Sequence, residues 1–237
     1  MQQTEGTYTY EILSRDQSDL IDQAAHCLAK TFIGVQVGDR WIQEPIIGYA
    51  LQLPYDDFYE FTKTYIEDYV HQGYCAVALD NKRNVVGALV GDTNAFEIVE
   101  EELFSGTFSN MNKVMDVLHD IDARFLHDFK LRNGRELQDG DGLHLFLLGV
   151  IAENGRHTIV QNLGDVLIEK AKKEGLQFLL AEATNPKSIR LLEKFHGLTK
   201  YVDVDGNFIV HTYKDNEHLN VIPNDVADGI YIIIKQL

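Results

Sequence analysis

Apolar positions along the chain recur in two rhythms, one of period two and one near 3.6, and the changes between them predict the elements. Thr7-Tyr8-Thr9-Tyr10 alternates in β-favouring residues, which predicts a strand over Tyr8–Ile12. Behind Ser18-Asp19, the residues Leu20, Ile21, Ala24, Ala25 and Leu28 recur at helical spacing. From Phe32 to Leu53 neither rhythm holds. Asp56–His71 is again amphipathic and helical, rich in aromatics and closed by Gly73. Tyr74–Leu79 and Val85–Val90 flank the polar turn Asp80–Asn84 and read as a β-hairpin. Val114, Leu118, Ile121, Phe125 and Phe129 space a long helix over Asn110–Lys130, which gives way to polar, glycine-containing chain as far as Gly142.

The next stretch alternates between element types. Leu143–Val150 is almost unbroken apolar sequence, the mark of a strand buried on both faces. Leu163–Lys173 reads as a helix stopped by Gly175, Phe178–Ala183 as a strand, and Asn185–Phe195 as a helix with Pro186 in its first turn. Tyr201–Val204, Phe208–Tyr213 and Ile230–Ile234 supply closing strands. This order argues for an α/β (α+β) protein, a sheet with helices packed against it. Nothing resembles an interdomain linker, so a single domain over residues 1–237 is expected.

Charge changes the picture more than composition does. Lys and Arg number 21 against 37 Asp and Glu, a formal net charge of −16. Such a surface repels nucleic acid, whose binding needs cations on phosphates, and attracts cationic small molecules such as amines. No run reaches the roughly 18 apolar residues of a membrane helix, so no membrane partner is expected. Met1–Tyr10 lacks the basic and apolar blocks of a signal peptide, so a cytoplasmic location is expected. Cys27 and Cys75 are too few for a disulfide framework or a zinc site, and each reads as a buried free thiol. His26, His71, His119, His127 and His211 show no metal-ligand spacing, so no metal is expected.

Two segments carry candidate chemistry. From Leu143 to Val160 a strand passes through a loop into a helix, an arrangement that can present free backbone amides where the helix dipole favours an anion. Many α/β loops share that form, and alone it is a weak phosphate signal. Gly149 within the strand marks a bulge or a close approach by another backbone. From Ala181 to Leu198 a strand ends in polar residues that lead into a helix. There Thr184, Asn185 and Ser188 are either hydrogen-bonding groups at the open end of the sheet or ordinary caps.

Taken together, Leu143–Val150, Leu163–Lys173, Phe178–Ala183, Asn185 to Ser188 and Leu191–Leu198 resemble motifs A and B of the GNAT superfamily of N-acetyltransferases. The run Trp41-Ile42-Gln43-Glu44-Pro45-Ile46-Ile47-Gly48-Tyr49-Ala50-Leu51 is similar to the Asp/Glu-Pro-Leu segment of insect (dopamine-type) arylalkylamine N-acetyltransferases. Those proteins also carry a long helix and loop between hairpin and motif A, as Asn110–Gly142 does here. The resemblance runs from about Tyr8 to Tyr201. It implies a GNAT fold, with a central mixed twisted sheet of about seven strands flanked by helices. It also implies transfer of an acetyl or other acyl group from acyl-CoA, the co-substrate, to the primary amine of a small molecule. The strands Leu143–Val150 and Phe178–Ala183 are then expected to lie side by side and splay at their C-terminal ends, leaving room for a pantetheine arm.

Motif A is degenerate. Aligned from Val150, the family's Arg/Gln falls on Gly155 and its two small residues on Thr158 and Val160, where a β-branched side chain narrows the approach of a pyrophosphate. The implied donor site runs over Leu148, Gly149, Val150, Gly155, Arg156, His157, Thr158, Ile159 and Val160, with Thr184, Asn185 and Ser188 opposite. Arg156 and His157 either supply compensating charge or are solvated loop residues. The resemblance places the amide that meets the developing oxyanion near Leu148 or Val150.

For the base, Glu44 matches the catalytic Glu of the insect-type enzymes. Among Trp41, Ile42, Ile46 and Ile47 its pKa is raised if it is buried, whereas an exposed loop carboxylate is the ordinary outcome. His144 is the rival, standing where vertebrate-type enzymes carry the first of two strand histidines, with Phe146 at the second. A lone His in a buried strand is more often a satisfied core residue. Leu192 falls where the family's Tyr acid stands, and Ser188 and Thr184 match hydroxyl residues near the departing thiolate. Two other functions stay open, an acyltransferase fed by longer acyl-CoAs or an acyl-carrier protein, and a GNAT-fold binding module without catalysis. The tail from Asp203 to Leu237 either closes the fold or pairs with a second subunit as a homodimer.

Overall fold

The computed structural model describes residues 8–96, 102–153 and 155–237. β1 (Thr9–Ile12) leads into α1 (Ser18–Ile33), a small hairpin of β2 (Val35–Val37) and β3 (Arg40–Ile42), a π-helical turn (Pro45–Ala50) and α2 (Tyr55–Tyr69). β4 (Cys75–Leu79) and β5 (Val85–Asp92) precede α3 (Met111–Asn133). β6 (Gly142–Val150), α4 (Arg156–Glu174), β7 (Phe178–Ala183) and α5 (Pro186–His196) then alternate, followed by β8 (Thr199–Lys200), β9 (Val210–Thr212) and β10 (Gly229–Gln236).

Among the described residues, eight strands form one mixed sheet in the order β1-β4-β5-β6-β7-β10-β8, with β9 also pairing β10, in keeping with the sheet of about seven that the resemblance implies. Among the described strands only β6 and β7 run parallel, and α4 provides the crossover that a parallel pair needs. The tail closes this sheet, because β10 pairs along the whole of β7. Its Phe208–Tyr213 stretch is less regular than expected, with a lone Val202–Phe208 bridge ahead of the short β9.

Period-two side chains divide between the faces. Cys75, Val77 and Leu79 of β4 meet α1, while Ala76 and Ala78 face α4. Farther along, Phe178 and Leu180 of β7 and Ile230 and Ile232 of β10 pack under α3 against Val114, Ile121 and Phe125. Among the described residues, no helix is long and apolar enough to cross a membrane.

Two sequence expectations shift. The bulge lies at Phe146, where the register with β5 passes from Val90↔Leu147 to Gly91↔Leu145. It reverses the alternation, so that Leu143 and Leu145 belong to the α4 core and Leu147 to the α1 core. Gly149 is instead a close approach of a helix side chain, since a Cβ there would lie 2.2 Å from Thr31 Oγ1. The second shift concerns α4, which starts at Arg156 rather than Leu163. Ile159 and Val160 are therefore not loop residues. Both are buried in the core beneath the sheet, and Val160 does not narrow a phosphate cradle.

Candidate active site

The β6–β7 ladder has three rungs, Gly142↔Phe178, Leu143↔Leu179 and His144↔Leu180, and then stops. Beyond it β6 stays with β5 as far as Val150↔Gly87, and β7 stays with β10 as far as Ala183↔Tyr231. The strands splay at their C-terminal ends, as expected. Ile151 donates its N–H to Val86 of β5. Antiparallel residues alternate in where their peptide groups point, so Leu148 and Val150 turn theirs away from β5 and toward the gap. A cavity of about 850 Å³, its open mouth included, occupies this gap. Phe58, Phe61, Met111 and Val114 form an apolar wall, and Glu44, Glu182, Thr184 and Ser188 bring polar groups to it.

Glu44 reaches the cavity because Pro45 opens a π-helical turn and Glu44 caps it, Oε2 accepting the Ile47 N–H at 2.5 Å. The residue is 8% exposed, and Oε1 is buried without a hydrogen-bond partner. Burial pushes the carboxyl up to about 7, opposed in smaller measure by the Ile47 amide, the Thr184 side chain and the Ile46 amide. Thr184 exerts that pull short of hydrogen-bond geometry with Oε1. A carboxyl so poised changes charge near neutral pH, as a proton acceptor for an amine should.

At the start of α5, Asn185 spends its side chain on the Lys187 N–H, 2.9 Å away, and is an ordinary cap. Ser188, one turn on, stays on the cavity. Beyond the end of β6, Gly155 adopts φ 69°, a left-handed turn that delivers the chain into α4. Arg156, His157 and Thr158 form the first turn, whose amides lie too early for partners within the helix, whereas the Ile159 N–H already bonds Gly155 O at 2.9 Å. Burial lowers the Arg156 pKa, and the nearby Arg40 lowers it further. Neither arginine has a carboxylate partner among the described residues. Two neighbouring cations without such partners thus stand beside the first turn of α4.

His144 stands at the last rung with both ring nitrogens engaged. Nε2 lies 2.6 Å from Glu182 Oε2, and Nδ1 lies 3.3 Å from Asp92 Oδ2. Burial alone would lower its pKa, but Glu182 and Asp92 outweigh burial and hold it well above the usual imidazole value. An imidazolium has no lone pair with which to take a proton, so the geometry departs from a role for His144 as base.

Neither a family model nor a curated protein sequence matches the chain. Solved structures do. A mosquito arylalkylamine N-acetyltransferase like 5b superposes with TM-score 0.63 at 19% identity, covering 98% of this chain and 100% of that one. Arylalkylamine N-acetyltransferase 2 from Aedes aegypti gives 0.64 at 16%, over 97% and 99%. The C-terminal condensation domain of Ebony, in complex with beta-alanyl-dopamine, gives 0.62 at 14%, over 98% and 100%. The chain has the GNAT fold. Within this GNAT fold, Glu44, Leu148, Thr184 and Ser188 share one cavity, while Ile159, Val160 and Asn185 serve the core and a cap.

Sequence reading passed over three groups around that cavity. Glu182 and Asp122 are single acids inside apolar periods, Phe178–Ala183 and the inner face of α3, and that interruption was the available signal. Tyr213, fully buried, donates its hydroxyl to Thr184 O at 2.7 Å and fixes the end of β7 from the tail. No local pattern marked it.

Proposed function

We propose that this protein is an N-acyltransferase that moves an acetyl or other acyl group from acyl-CoA to the amine of a small molecule. The parted β6–β7 ladder, with a buried carboxyl poised near neutrality beside it, carries this reading. The open strand edge suits the amide groups of a pantetheine arm, and Arg156 and Arg40 beside the first turn of α4 suit its phosphates. An acidic, aromatic-walled cavity suits a cationic amine with an apolar body. The N-acetyltransferases among the structural neighbours favour the same acceptor class, and a CoA donor suits work in the cytoplasm.

Glu44 takes a proton from the substrate ammonium and leaves a neutral nitrogen, whose lone pair attacks the thioester carbonyl. The Leu148 or Val150 N–H meets the negative charge that develops on that oxygen. As the C–S bond breaks, Ser188 delivers a proton to the departing sulfur and recovers one from the acylated nitrogen. Glu44 then releases its proton to solvent. Holding donor and acceptor in one cavity supplies much of the acceleration, so a base of ordinary strength suffices.

Calorimetric titration with acetyl-CoA, with longer acyl-CoAs and with CoA alone tests the reading. Tight acetyl-CoA binding assigns a small acyl group, and a preference for long chains assigns a larger one. Failure of all three to bind would leave a GNAT fold put to another use.

A further inference from the structure

Side chains from five elements meet where β6 and β7 part: Tyr65 of α2, Asp92 of β5, Asp122 of α3, His144 of β6 and Glu182 of β7. His144 belongs to the last backbone rung, and its bond to Glu182 crosses from one strand to the other immediately beyond it. Asp92 flanks the other ring nitrogen and is itself held by the Tyr65 hydroxyl at 2.6 Å and the Asn94 N–H at 2.9 Å. Phe96 and Phe146 stand against the imidazole, 5.0 and 5.5 Å between centroids.

The proton count follows from chemistry. Glu182 Oε1 and Asp122 Oδ1 are both buried without a hydrogen-bond partner, and the two carboxyls act on each other. Burial, and then the neighbouring Glu182 carboxylate, hold the Asp122 pKa well above the ordinary carboxylate value, so that Asp122 keeps its proton. Asp92 and Glu182 then each carry a negative charge with an imidazolium between them. A neutral ring donates from only one nitrogen. Loss of its proton would therefore take the imidazole N–H from one carboxylate and set Asp92 and Glu182 against each other across the apex of the gap.

We propose that His144 is a positioning residue whose imidazolium pins β6 to β7 beyond their last rung and so sets the width of the donor gap. The bulge at Phe146 turns β6 out of register, so backbone bonds cannot do this, and a charged side-chain bridge takes over. Glu182 lines the same cavity as Glu44, so a change at the pin moves the wall along which the donor's arm lies. The proposal rests on the acyl-CoA reading for its consequence, though not for the state of the ring.

The test has two arms. Nitrogen chemical shifts of the His144 ring, followed from pH 6 to 10 in the free protein, should show both nitrogens protonated through neutrality. In parallel, CoA affinity is measured by calorimetry over the same range for the parent, His144→Gln and His144→Lys. The parent should lose about tenfold in affinity as the ring loses its proton, a change the size of one charge-assisted contact. His144→Gln should be weak and flat with pH, and His144→Lys should restore parent-like affinity and hold it to higher pH. A ring that titrates at or below the ordinary 6.5 would overturn the proposal. So would a Lys variant as weak as the Gln variant, or a Gln variant of parental affinity. Failure of the parent to bind CoA at any pH would sink the acyl-CoA reading, and with it the donor consequence, while the ring titration would still decide whether the pin is charged.

Discussion

The role proposed for Glu44 as proton acceptor comes with a cost to the fold, and the two separate in one substitution. Its carboxyl titrates near 4.5 in an unfolded chain and is raised by burial to about 7 in the folded one. The stabilising contribution is thus complete below 4.5 and is lost as pH rises through 7. Glu44→Gln keeps an acceptor for the Ile47 N–H and removes the ionisation. Thermal melts at pH 8 should show the variant more stable by roughly 1–3 kcal/mol, and that margin should vanish near pH 4. Turnover should fall about 10²-fold with acyl-CoA affinity unchanged, and recover at alkaline pH as free amine accumulates. A variant that keeps its turnover and is destabilised at pH 8 would make Glu44 a cap and nothing more. At this scale Glu44 was singled out by its match to the glutamate of the insect-type enzymes, since among its neighbours alone an exposed loop carboxylate was the ordinary outcome, and its burial is what the structure adds. Glu182 and Asp122 were not, because one charge within an apolar period looks like the polar edge of an element until a partner is brought to it from another strand or helix.

Among the elements, the long strands and helices were readable because each buries a face at its own period. The hairpin of β2 and β3 was not, its strands having three residues each and so too little sequence to show a rhythm. The start of α4 was missed because its first turn, Arg156 to Thr158, is polar and reads as loop, although helix starts are polar for want of internal partners. This boundary separates two effects. Val160→Gly, at a buried helical position, should lower the denaturant midpoint by the equivalent of about 2–4 kcal/mol and leave acyl-CoA affinity unchanged. Arg156→Ala should do the reverse, weakening acyl-CoA by roughly 1–3 kcal/mol with little change in stability. Titrations that show Val160→Gly improving affinity would restore the cradle to the inner side of the helix.

The whole molecule carries a formal net charge of −16, which at low salt draws cations toward it over about 10 Å or more. At saturating acyl donor, kcat/KM for a cationic amine should fall roughly three- to tenfold between 20 and 300 mM salt. Salt-independent rates would reduce the acidic surface to an aid to solubility. The order of strands in the sheet reaches further, into the life of the chain before it is complete. β10, made last among the described strands, lies between β7 and β8 rather than at an edge. Until residues 229–236 have left the ribosome, β7 has no hydrogen-bonded neighbour on that side. A nascent chain can therefore form the hairpins and helices of its first half during synthesis, while β7, one wall of the opening, gains its second hydrogen-bonded neighbour only once residues 229–236 are free of the ribosome.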